Sequence, residues 1–265
     1  TIFVPAVILF LIQHPDSANT DFSSLETVIY GASPITDDTL LKAMELMDCN
    51  FWQVYGLTET NGAITFLYPE DHDVSRDKLR SCGKAAKGVG LRVVDSEDND
   101  VPIGEVGEVI IKSDLNMKGY WNRPEATAEA IKDGWFYSGD VGYFDDEGFL
   151  YIHDRVKDMI VSGGENIYPA EVENALVSHP NIADAAVVGI PDDKWGEATK
   201  AFIVQVEGEK LSEDEVISYV KTQIAGYKCP KTVDHINELP RNPSGKILRK
   251  DLRAPYWEGK ERNVS

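Results

Sequence analysis

The chain has 265 residues, of which 42% are hydrophobic, and carries a formal net charge of −19 at neutral pH. This length and apolar content are sufficient for a buried core and for two domains, and they argue against extensive disorder. The negative charge argues against nucleic-acid binding, because no basic surface would neutralise the phosphates. The charge is uneven: residues 241–265 hold seven Lys and Arg against three Asp and Glu. Such a segment indicates either a solvated basic helix or a site for a small anion.

The three cysteines, Cys49, Cys82 and Cys229, are far apart and form no Cys-x-x-Cys or Cys/His pattern. We therefore expect no zinc site, and the free thiols are typical of a reducing cytoplasm. The apolar run at residues 2–12 is too short to span a bilayer and lacks the basic flank of a signal peptide. We expect it to be a buried helix of a larger domain. Because the chain opens on Thr1 within an element, we interpret it as the C-terminal portion of a longer protein.

Residues 25–54 have the alternation of strand and helix that is typical of a parallel sheet. The pattern predicts a buried strand at residues 25–30, followed by a helix that is capped by Thr36 and runs to about Met47. A second strand is predicted at residues 50–54, and it ends in a loop at Tyr55-Gly56. Ligands of parallel sheets bind beyond the carboxyl ends of the strands. The glycines that follow both predicted strands fall at such ends.

Residues 83–153 differ in character, because glycines separate short β-branched runs. This pattern predicts antiparallel β structure arranged as a small barrel, with a hairpin turn at residues 145–148. After Asp154 a compact α+β unit is predicted. Its helices open at Pro169 and at the capping box of Ser212 and Glu215, and a last helix is expected at residues 247–256. Two strands are predicted between these helices, at residues 185–190 and 201–206.

Together these elements predict an α/β fold in two domains. Residues 1–153 are expected to be the C-terminal part of a large domain, with a sheet portion at 1–82 and a barrel-like portion at 83–153. Residues 155–265 are expected to form a small, mobile α+β domain. Because no long linker separates the two, Asp154 is the predicted hinge.

The segment YGLTET at residues 55–60 combines residue types that suit a nucleotide site. Its glycine permits close approach of the backbone to a ligand. A hydroxyl can donate to a phosphate oxygen, and a carboxylate can hold Mg²⁺ while waters and phosphates complete the shell. Taken alone, the segment is equally well explained as a capped loop with a surface glutamate.

Two further charged residues, Asp140 and Lys246, follow glycine-containing segments in which a charged side chain can contact a ligand. Asp140 follows Ser138-Gly139 and is predicted to lie on a tight turn, where its carboxylate accepts either ribose hydroxyls or, in an ordinary Asx-turn, a backbone amide. Lys246 follows an exposed loop, PSG, at residues 243–245. A lysine there can reach a phosphate as charge develops, which is worth roughly 3 kcal/mol. A lone lysine in a turn is otherwise a solvated surface residue.

In combination these motifs resemble the adenylate-forming enzymes, most closely their fatty acyl-CoA synthetase branch. The resemblance depends on QVYGLTET at residues 53–60, on the run from YSGD at 137–140 to the helix at 169–173, and on PRNPSGK at 240–246. It covers essentially the whole chain. It implies that a carboxylic acid reacts with ATP to give acyl-adenylate, whose acyl group then passes to CoA with release of AMP. Nothing here matches the family's Ser/Thr/Gly-rich phosphate loop, so we expect this chain alone to be inactive.

The resemblance assigns roles to individual residues. It implies that Tyr55 packs on adenine, Thr58 meets the α-phosphate and Glu59 supports Mg²⁺. Lys246 would act in adenylate formation only, which makes Lys246, Thr58 and Glu59 the expected catalytic residues. The other residues implied for ATP or AMP binding are Gly31, Ala32, Ser33, Pro34, Gly56, Asp140, Ile152 and Arg155.

A CoA site is also implied, in the predicted small domain. After rotation about Asp154, a glycine loop would line the pantetheine tunnel, with a tryptophan as its wall. The implied CoA-binding residues are Ser162, Gly163, Gly164, Trp195 and Tyr227. Cys229 stands where some relatives place an arginine, so Lys228 or Lys231 would contact the CoA phosphates instead.

Other functions remain compatible with these residues. An adenylation domain for a carrier protein or an aryl acid would use the same nucleotide site, although the Gly163-Gly164 loop and Trp195 favour CoA. A non-catalytic module derived from the family is favoured by the missing phosphate loop and opposed by the joint presence of Lys246, Asp140 and Glu59. The small residues Gly31, Ala32, Gly62 and Ala63 favour a medium- or long-chain aliphatic acid. Any peripheral membrane contact is expected only through regions outside this chain.

Overall fold

The computed structural model describes residues 1–242 and 245–259, so Pro243 and Ser244 of the predicted lysine loop lie outside the described residues. The chain divides into two compact units, Thr1–Ile152 and His153–Ser265. Within the described part, no helix is both long enough and apolar enough to cross a membrane.

A five-stranded sheet with the order β1-β2-β3-β4-β5 begins the first unit. Its strands and the two helices between them are β1 (Ile2–Phe3), α1 (Pro5–Gln13), β2 (Thr27–Gly31), α2 (Asp37–Met47), β3 (Asn50–Leu57), β4 (Gly62–Leu67) and β5 (Lys84–Ala85). Strands β1, β2 and β3 are parallel, whereas β4 and β5 join them as antiparallel strands. The predicted parallel arrangement is thus correct for the strand–helix–strand segment, and the sheet as a whole is mixed.

Helix α2 forms as the sequence predicts. The hydroxyl oxygen of Thr36 accepts a hydrogen bond from the amide of Thr39 (3.3 Å). Asp37 and Asp38 place negative charge in the first turn, which favours the helix dipole. Leu40, Ala43 and Met47 are buried in the core that α2 shares with β2 and β3.

The apolar segment at residues 2–12 is only partly buried within this chain, whereas the prediction concerned a helix buried in a larger domain. It contains the short strand β1 before the helix begins at Pro5, where proline suits the first turn. Ile8 is fully buried, but Phe10 is 69% exposed. Residues two apart do not share a helix face, so α1 contributes one side to the core and leaves the other side open.

Strand β3 extends further than the sequence predicts, through Tyr55 and Gly56 to Leu57, and the predicted loop at this point is wrong. Strand β4 supplies the missing hydrogen-bond partners, because Tyr55 pairs with Thr65 and Gly56 pairs with Ala63. The register shifts between these two pairs, as in a β-bulge. An antiparallel return strand of this kind cannot be recognised from the pattern of residues 50–54 alone.

The second sheet of the first unit has the order β10-β9-β7-β6, with β8 paired to β9. Its elements are β6 (Gly90–Val94), β7 (Gly107–Lys112), α3 (Pro124–Ala130), β8 (Ile131–Lys132), β9 (Trp135–Phe144) and β10 (Leu150–Arg155). The predicted antiparallel pairing is observed, and β6 and β10 are the two ends of the strand order. The hairpin turn lies where predicted, since the Asp145 carboxylate accepts from the amides of Glu147 (3.0 Å) and Phe149 (2.8 Å).

The second unit packs helices on a sheet with the order β12-β11-β14-β13, in which β15 pairs with β14. Its elements are β11 (Ile160–Ser162), β12 (Glu165–Ile167), α4 (Pro169–Val177), β13 (Ile182–Asp192), β14 (Gly196–Gln205), α5 (Glu213–Gln223), β15 (Thr232–His235) and α6 (Arg249–Arg253). The predicted capping box at the start of α5 is present in both directions between Ser212 and Glu215. The α/β fold class predicted from the sequence is therefore confirmed.

A half-buried ion pair joins α6 to α4. The Arg249 guanidinium lies 2.6 Å from one carboxylate oxygen of Glu173 and donates to the other at 3.0 Å. The same Glu173 carboxylate accepts from the Val187 amide of β13 (2.8 Å). Burial raises the pKa of the Glu173 carboxyl, and the charge of Arg249 opposes that shift. Arg249, one of the basic residues in the segment 241–265, therefore connects two helices of the second unit, and α6 is not a purely solvent-exposed basic helix.

Substituting Glu173→Gln is expected to lower the free energy of opening of the second unit by about 2 kcal/mol, because the half-buried Arg249 would lose the carboxylate that lies 2.6 Å from its guanidinium. Hydrogen exchange of the β13 and β14 amides in the whole chain measures this quantity. Glu238→Gln is the matched control, since Glu238 is exposed. Equal protection in the two variants would show that the pair contributes nothing to stability.

Candidate functional site

A cleft of about 410 Å³ lies where β2 and β3 end. It brings together residues that the sequence analysis singled out separately. The lining residues are Ala32, Val54, Gly56, Leu57, Thr58, Asn61, Gly62 and Ala63. A larger depression of about 540 Å³ lies at the amino ends of the same strands, where parallel sheets do not bind ligands. The cleft is therefore the better candidate, and Ser33 and Pro34 are not among its lining residues.

The two glycines at this edge are explained by their neighbours. A Cβ atom on Gly31 would overlap the Val54 carbonyl oxygen, and one on Gly56 would overlap the Gly62 carbonyl oxygen. Strand packing alone thus requires glycine at both positions, whether or not a ligand approaches. Ala32 differs, because it has a φ of 69° without being glycine. Backbone strain of this kind clusters at functional sites.

Tyr55 and Asp140 meet at the base of the site. The Tyr55 hydroxyl donates to the Asp140 carboxylate at 2.7 Å, although the two residues are 85 positions apart. Burial and the charge of Asp140 both raise the pKa of Tyr55, so the phenol keeps its proton and acts as the donor. The structure therefore places the predicted adenine-packing ring against the predicted ribose-binding carboxylate.

Asp140 does not lie on the tight turn that the sequence predicts. It is a buried residue of β9, next to Gly139 with a φ of 68°. The register of β7 and β9 shifts nearby, between Glu108 and Ile110, so Asp140 belongs to a bulged strand. Its amide donates to the hydroxyl oxygen of Ser138 (3.0 Å). Bulges change the direction of side chains at sheet edges, which accounts for a special carboxylate within a strand.

Thr58 and Glu59 form a short 3-10 turn directly after β3. The Thr58 side chain is exposed, and the Glu59 carboxylate accepts a hydrogen bond from the Tyr120 hydroxyl at 2.9 Å. Burial raises the pKa of Tyr120, and the bond to Glu59 raises it further, so the phenol is a protonated donor. The amide of Met117 donates to the Glu59 carbonyl (2.7 Å), which fixes the same turn.

Tyr120 was not identified by the sequence analysis. It lies 61 positions from Glu59, and no periodic pattern relates the two. The signal that was present is local: Tyr120 follows Gly119, where a Cβ atom would lie 2.6 Å from Thr127. A required glycine beside an aromatic residue in a polar segment marks a fixed loop, but it does not indicate the partner of that loop.

The carboxylate of Glu59, the predicted metal residue, is of a chemical type that fits a magnesium ion. Mg²⁺ prefers oxygen ligands and is usually held by one or two carboxylates together with substrate phosphates. Within residues 1–242 and 245–259, no three His, Cys, Asp or Glu side chains lie close enough together to hold a metal by themselves. A single carboxylate such as that of Glu59 is compatible with a magnesium ion whose remaining ligands are phosphate oxygens and waters.

Ile152 and Asp154 lie on β10, close to the division between the two units. Ile152 is half-buried and packs against the core of the second sheet. The Asp154 carboxylate accepts from the Ala170 amide in the first turn of α4 and from the Arg155 amide, both at 2.8 Å. Burial raises the pKa of Asp154, and Arg249 opposes the shift. The predicted hinge residue therefore accepts a hydrogen bond from a backbone amide in the first turn of α4, a helix of the second unit. The side chain of the neighbouring Arg155 is exposed.

The predicted glycine loop of the second unit is a tight hairpin between β11 and β12. Gly163 and Gly164 have φ values of 63° and 87°, and this combination is typical of a two-residue turn that favours glycine. Trp195 lies directly over it: a Cβ atom on Gly163 would be 2.7 Å from the indole ring. The amide of Gly163 also donates to the Trp195 carbonyl (2.8 Å). Ser162 pairs with Gly196 next to this contact.

The segment around Tyr227 carries the predicted phosphate contacts for CoA. Tyr227 is largely exposed, but Lys228 forms an ion pair with Glu171 at 2.7 Å. Cys229 is a core residue, and its buried thiol donates to the Ala225 carbonyl (3.6 Å). Lys231 is exposed and forms no ion pair with the residues that the structure describes. Of the two lysines that the sequence suggests, Lys231 therefore fits an anion better.

Lys246 is exposed. Its amide donates to the Asn242 side-chain oxygen, and its carbonyl accepts from the Asn242 amide, both at 2.9 Å. Arg241 and Ile247 form an antiparallel bridge that closes the loop. The backbone of Lys246 is thus held on both sides while its side chain extends into solvent.

Two family profiles match the chain: "AMP-binding enzyme" at residues 1–121 and "AMP-binding enzyme C-terminal domain" at residues 171–246. The chain belongs to the AMP-binding enzyme family. It is 44% identical over 255 residues to the long-chain-fatty-acid–CoA ligase FadD13 of Mycobacterium tuberculosis, covering 96% of this chain and 49% of that protein. It is 41% identical over 262 residues to the fatty acid–[acyl-carrier-protein] ligase ScoC of Streptomyces coeruleorubidus, covering 99% of this chain and 50% of that protein.

A solved structure is similar over nearly the whole chain. It is the o-succinylbenzoate CoA synthetase MenE of Bacillus subtilis in complex with the acyl-adenylate intermediate OSB-AMP. The TM-score is 0.83 at 37% identity, and the match covers 95% of this chain and 50% of that one. The chain thus spans about half the length of these family members.

Substituting Gly56→Ala is expected to destabilise the first unit by about 2 kcal/mol, because the added methyl group overlaps the Gly62 carbonyl oxygen of β4. Gly226→Ala is the matched control, since a Cβ atom there meets nothing within 4 Å. Urea unfolding followed by hydrogen exchange of β3 and β4 measures the difference. Equal stability of the two variants would show that the bulge adjusts without cost.

Proposed function

We propose that the protein containing this chain is an ATP-dependent acid–CoA ligase that forms AMP. The observation that carries the proposal is the contact of Tyr55 with Asp140 beside a cleft lined by Thr58, in a chain that belongs to the AMP-binding enzyme family. An aromatic ring, a buried carboxylate and a hydroxyl at one sheet edge suit the adenine, ribose and α-phosphate of a single nucleotide.

The reaction has two steps. A substrate carboxylate oxygen attacks the α-phosphorus of ATP, which gives the acyl-adenylate and releases pyrophosphate. The CoA thiolate then attacks the acyl carbonyl carbon, which gives the thioester and releases AMP. Thr58 donates a hydrogen bond to the α-phosphate, and Asp140 accepts from the ribose. Magnesium, when bound with ATP, neutralises phosphate charge, and Glu59 is the residue that would hold it.

Lys246 is the proposed catalytic cation of the first step. An exposed ammonium on a held backbone can be positioned against the oxygens on which negative charge develops. Its action in that step alone requires the second unit to adopt two orientations, and Asp154 is the proposed hinge between them. The Asp154 carboxylate caps α4, so rotation about this residue can leave the second unit internally intact.

CoA is the proposed acyl acceptor, because the half-exposed Trp195 ring lies against the Gly163-Gly164 turn, and a thin thiol arm can pass along glycine backbone that carries no side chain. The proposed acid is a medium- or long-chain fatty acid, in keeping with the small side chains Ala32, Gly62 and Ala63 at the cleft. A carrier-protein or aryl-acid ligase is the second candidate, since ScoC and MenE are among the relatives. A reducing cytoplasm is the proposed location, in keeping with three free cysteines.

The test is acid-dependent exchange of labelled pyrophosphate into ATP by the whole protein, with acetate, octanoate, palmitate and a cinnamate in parallel. CoA is then added and AMP release is followed. Exchange with a fatty acid and CoA-driven turnover support the proposal. Exchange followed by transfer only to a carrier protein, or only with the cinnamate, supports the second candidate. No exchange with any acid would overturn both and favour a non-catalytic protein.

Substituting Lys246→Ala in the whole protein is expected to slow pyrophosphate exchange about 100-fold, because a positioned cation is lost from the transition state. Consumption of a synthetic acyl-adenylate by CoA should be unchanged. Lys250→Ala, on the exposed side of α6, is the control and should retain both half-reactions. Unchanged exchange combined with slower thioester formation would contradict the role given to Lys246.

Substituting Tyr120→Phe is expected to raise the Mg²⁺ concentration required for half-maximal ATP binding by about 10-fold, because the Glu59 carboxylate loses the partner that orients it. The measurement uses a fluorescent ATP analogue without any carboxylic acid, so no turnover is involved. Tyr151→Phe is the control, since it removes a phenol 3.3 Å from the Asp145 carboxylate in the same unit. An unchanged magnesium requirement in Tyr120→Phe would exclude a role for Tyr120 in holding Glu59.

A further inference from the structure

We infer that Arg241 is a positioning residue for Lys246, through a clamp that includes Asp184. This inference rests on the proposed function, because it concerns the loop that carries the proposed catalytic lysine. One nitrogen of the Arg241 guanidinium donates to the Gly245 carbonyl at 2.6 Å, immediately before Lys246. The other terminal nitrogen donates to the Asp184 carboxylate at 2.6 Å. One planar side chain thus ties the loop to strand β13.

The position of Asp184 follows from an irregularity in β13. Ile182 pairs with Gln205 and Asp184 pairs with Val204, so Ala183 is an extra residue on this strand. Such a bulge changes the direction of the side chains that follow it. One oxygen of Asp184 accepts from the Ala185 amide (3.0 Å), which leaves the other oxygen for Arg241. The Asp184 carboxylate is therefore oriented by its own backbone contact, independently of Arg241.

The loop itself is held by short backbone contacts. The Asn242 amide donates to the Lys246 carbonyl, and the Gly245 amide donates to the Asn242 carbonyl, both at 2.9 Å. Gly245 has a φ of 82°, a conformation that favours glycine. These bonds join Asn242, Gly245 and Lys246 to one another, but they do not join these residues to the sheet. Arg241 adds that connection, because it binds the loop carbonyl and a β13 side chain at the same time.

The expected effect lies in positioning and not in global stability. The side chains of Arg241 and Asp184 are 41% and 34% exposed, and exposed ion pairs contribute little to folding. A small displacement of a catalytic group, in contrast, lowers the rate strongly. A lysine cannot replace Arg241, because a single ammonium lacks the two-pronged donor geometry that reaches both acceptors.

The test compares Arg241→Ala and Arg241→Lys with Arg92→Ala in the whole protein. Arg92 is a close match, since it donates to the Asp100 carboxylate (2.6 Å) and to the Asp98 carbonyl (3.1 Å). Both Arg241 variants are expected to slow pyrophosphate exchange about 10-fold or more, with consumption of synthetic acyl-adenylate by CoA unchanged. Asp184→Asn should have a smaller effect in the same direction, and adding it to Arg241→Ala should cost nothing further.

Hydrogen exchange supplies a readout that does not require activity. The amides of Asn242, Gly245 and Lys246 should exchange faster in Arg241→Ala than in the unsubstituted protein or in Arg92→Ala. Equal protection would overturn the clamp. Faster amide exchange with unchanged pyrophosphate exchange, or equal loss of both half-reactions, would overturn the positioning role. If the unsubstituted protein activates no acid, the proposed function fails, while the amide protection still decides whether the clamp exists.

Discussion

The antiparallel return of β4 along the end of β3 is the constraint on which the candidate site depends. Because β4 pairs with Tyr55 and Gly56, this segment is a strand with a bulge and not a free loop. The extended strand carries Tyr55 to the Asp140 carboxylate of the second sheet. Leu57 of β3 and Ile64 of β4 also belong to the hydrophobic cluster of that sheet. The two sheets of the first unit therefore share both a core and a polar contact at this edge.

Features determined by neighbouring residues could be predicted from the sequence, and features that depend on distant partners could not. The Thr36 cap, the Ser212 capping box and the Asp145 turn each involve residues within four positions, so their chemistry is visible in the local sequence. The extension of β3, the bond of Tyr120 to Glu59 and the contact of Arg241 with Asp184 join residues that are distant in the chain. Residue types indicated the candidate site, whereas its geometry depends on these long-range contacts.

The glycines that the sequence analysis singled out are explained by different neighbours, and the structure distinguishes them. At Gly31 and Gly56 the carbonyl of an adjacent strand already occupies the space of a side chain. At Gly163 the occupant is an indole ring, which is a side chain and can move. The first two glycines are therefore needed for the fold itself. Gly163 is favoured for a separate reason as well, because its φ of 63° lies in the left-handed region that glycine adopts readily.

The availability of a basic residue in the segment 241–265 to a ligand depends on its burial and on its ion-pair partners. Arg249 is neutralised by Glu173 within the second unit, and Arg241 is paired with Asp184 at its surface. Both arginines therefore act on the protein itself, and the excess of positive charge in the sequence overstates what is available to a ligand. Lys246 differs because its backbone is held by Asn242 while its ammonium remains exposed. A cation whose backbone is fixed and whose side chain is exposed can bind an anion without first breaking an ion pair of the kind that holds Arg241 and Arg249, and this separates Lys246 from these two arginines.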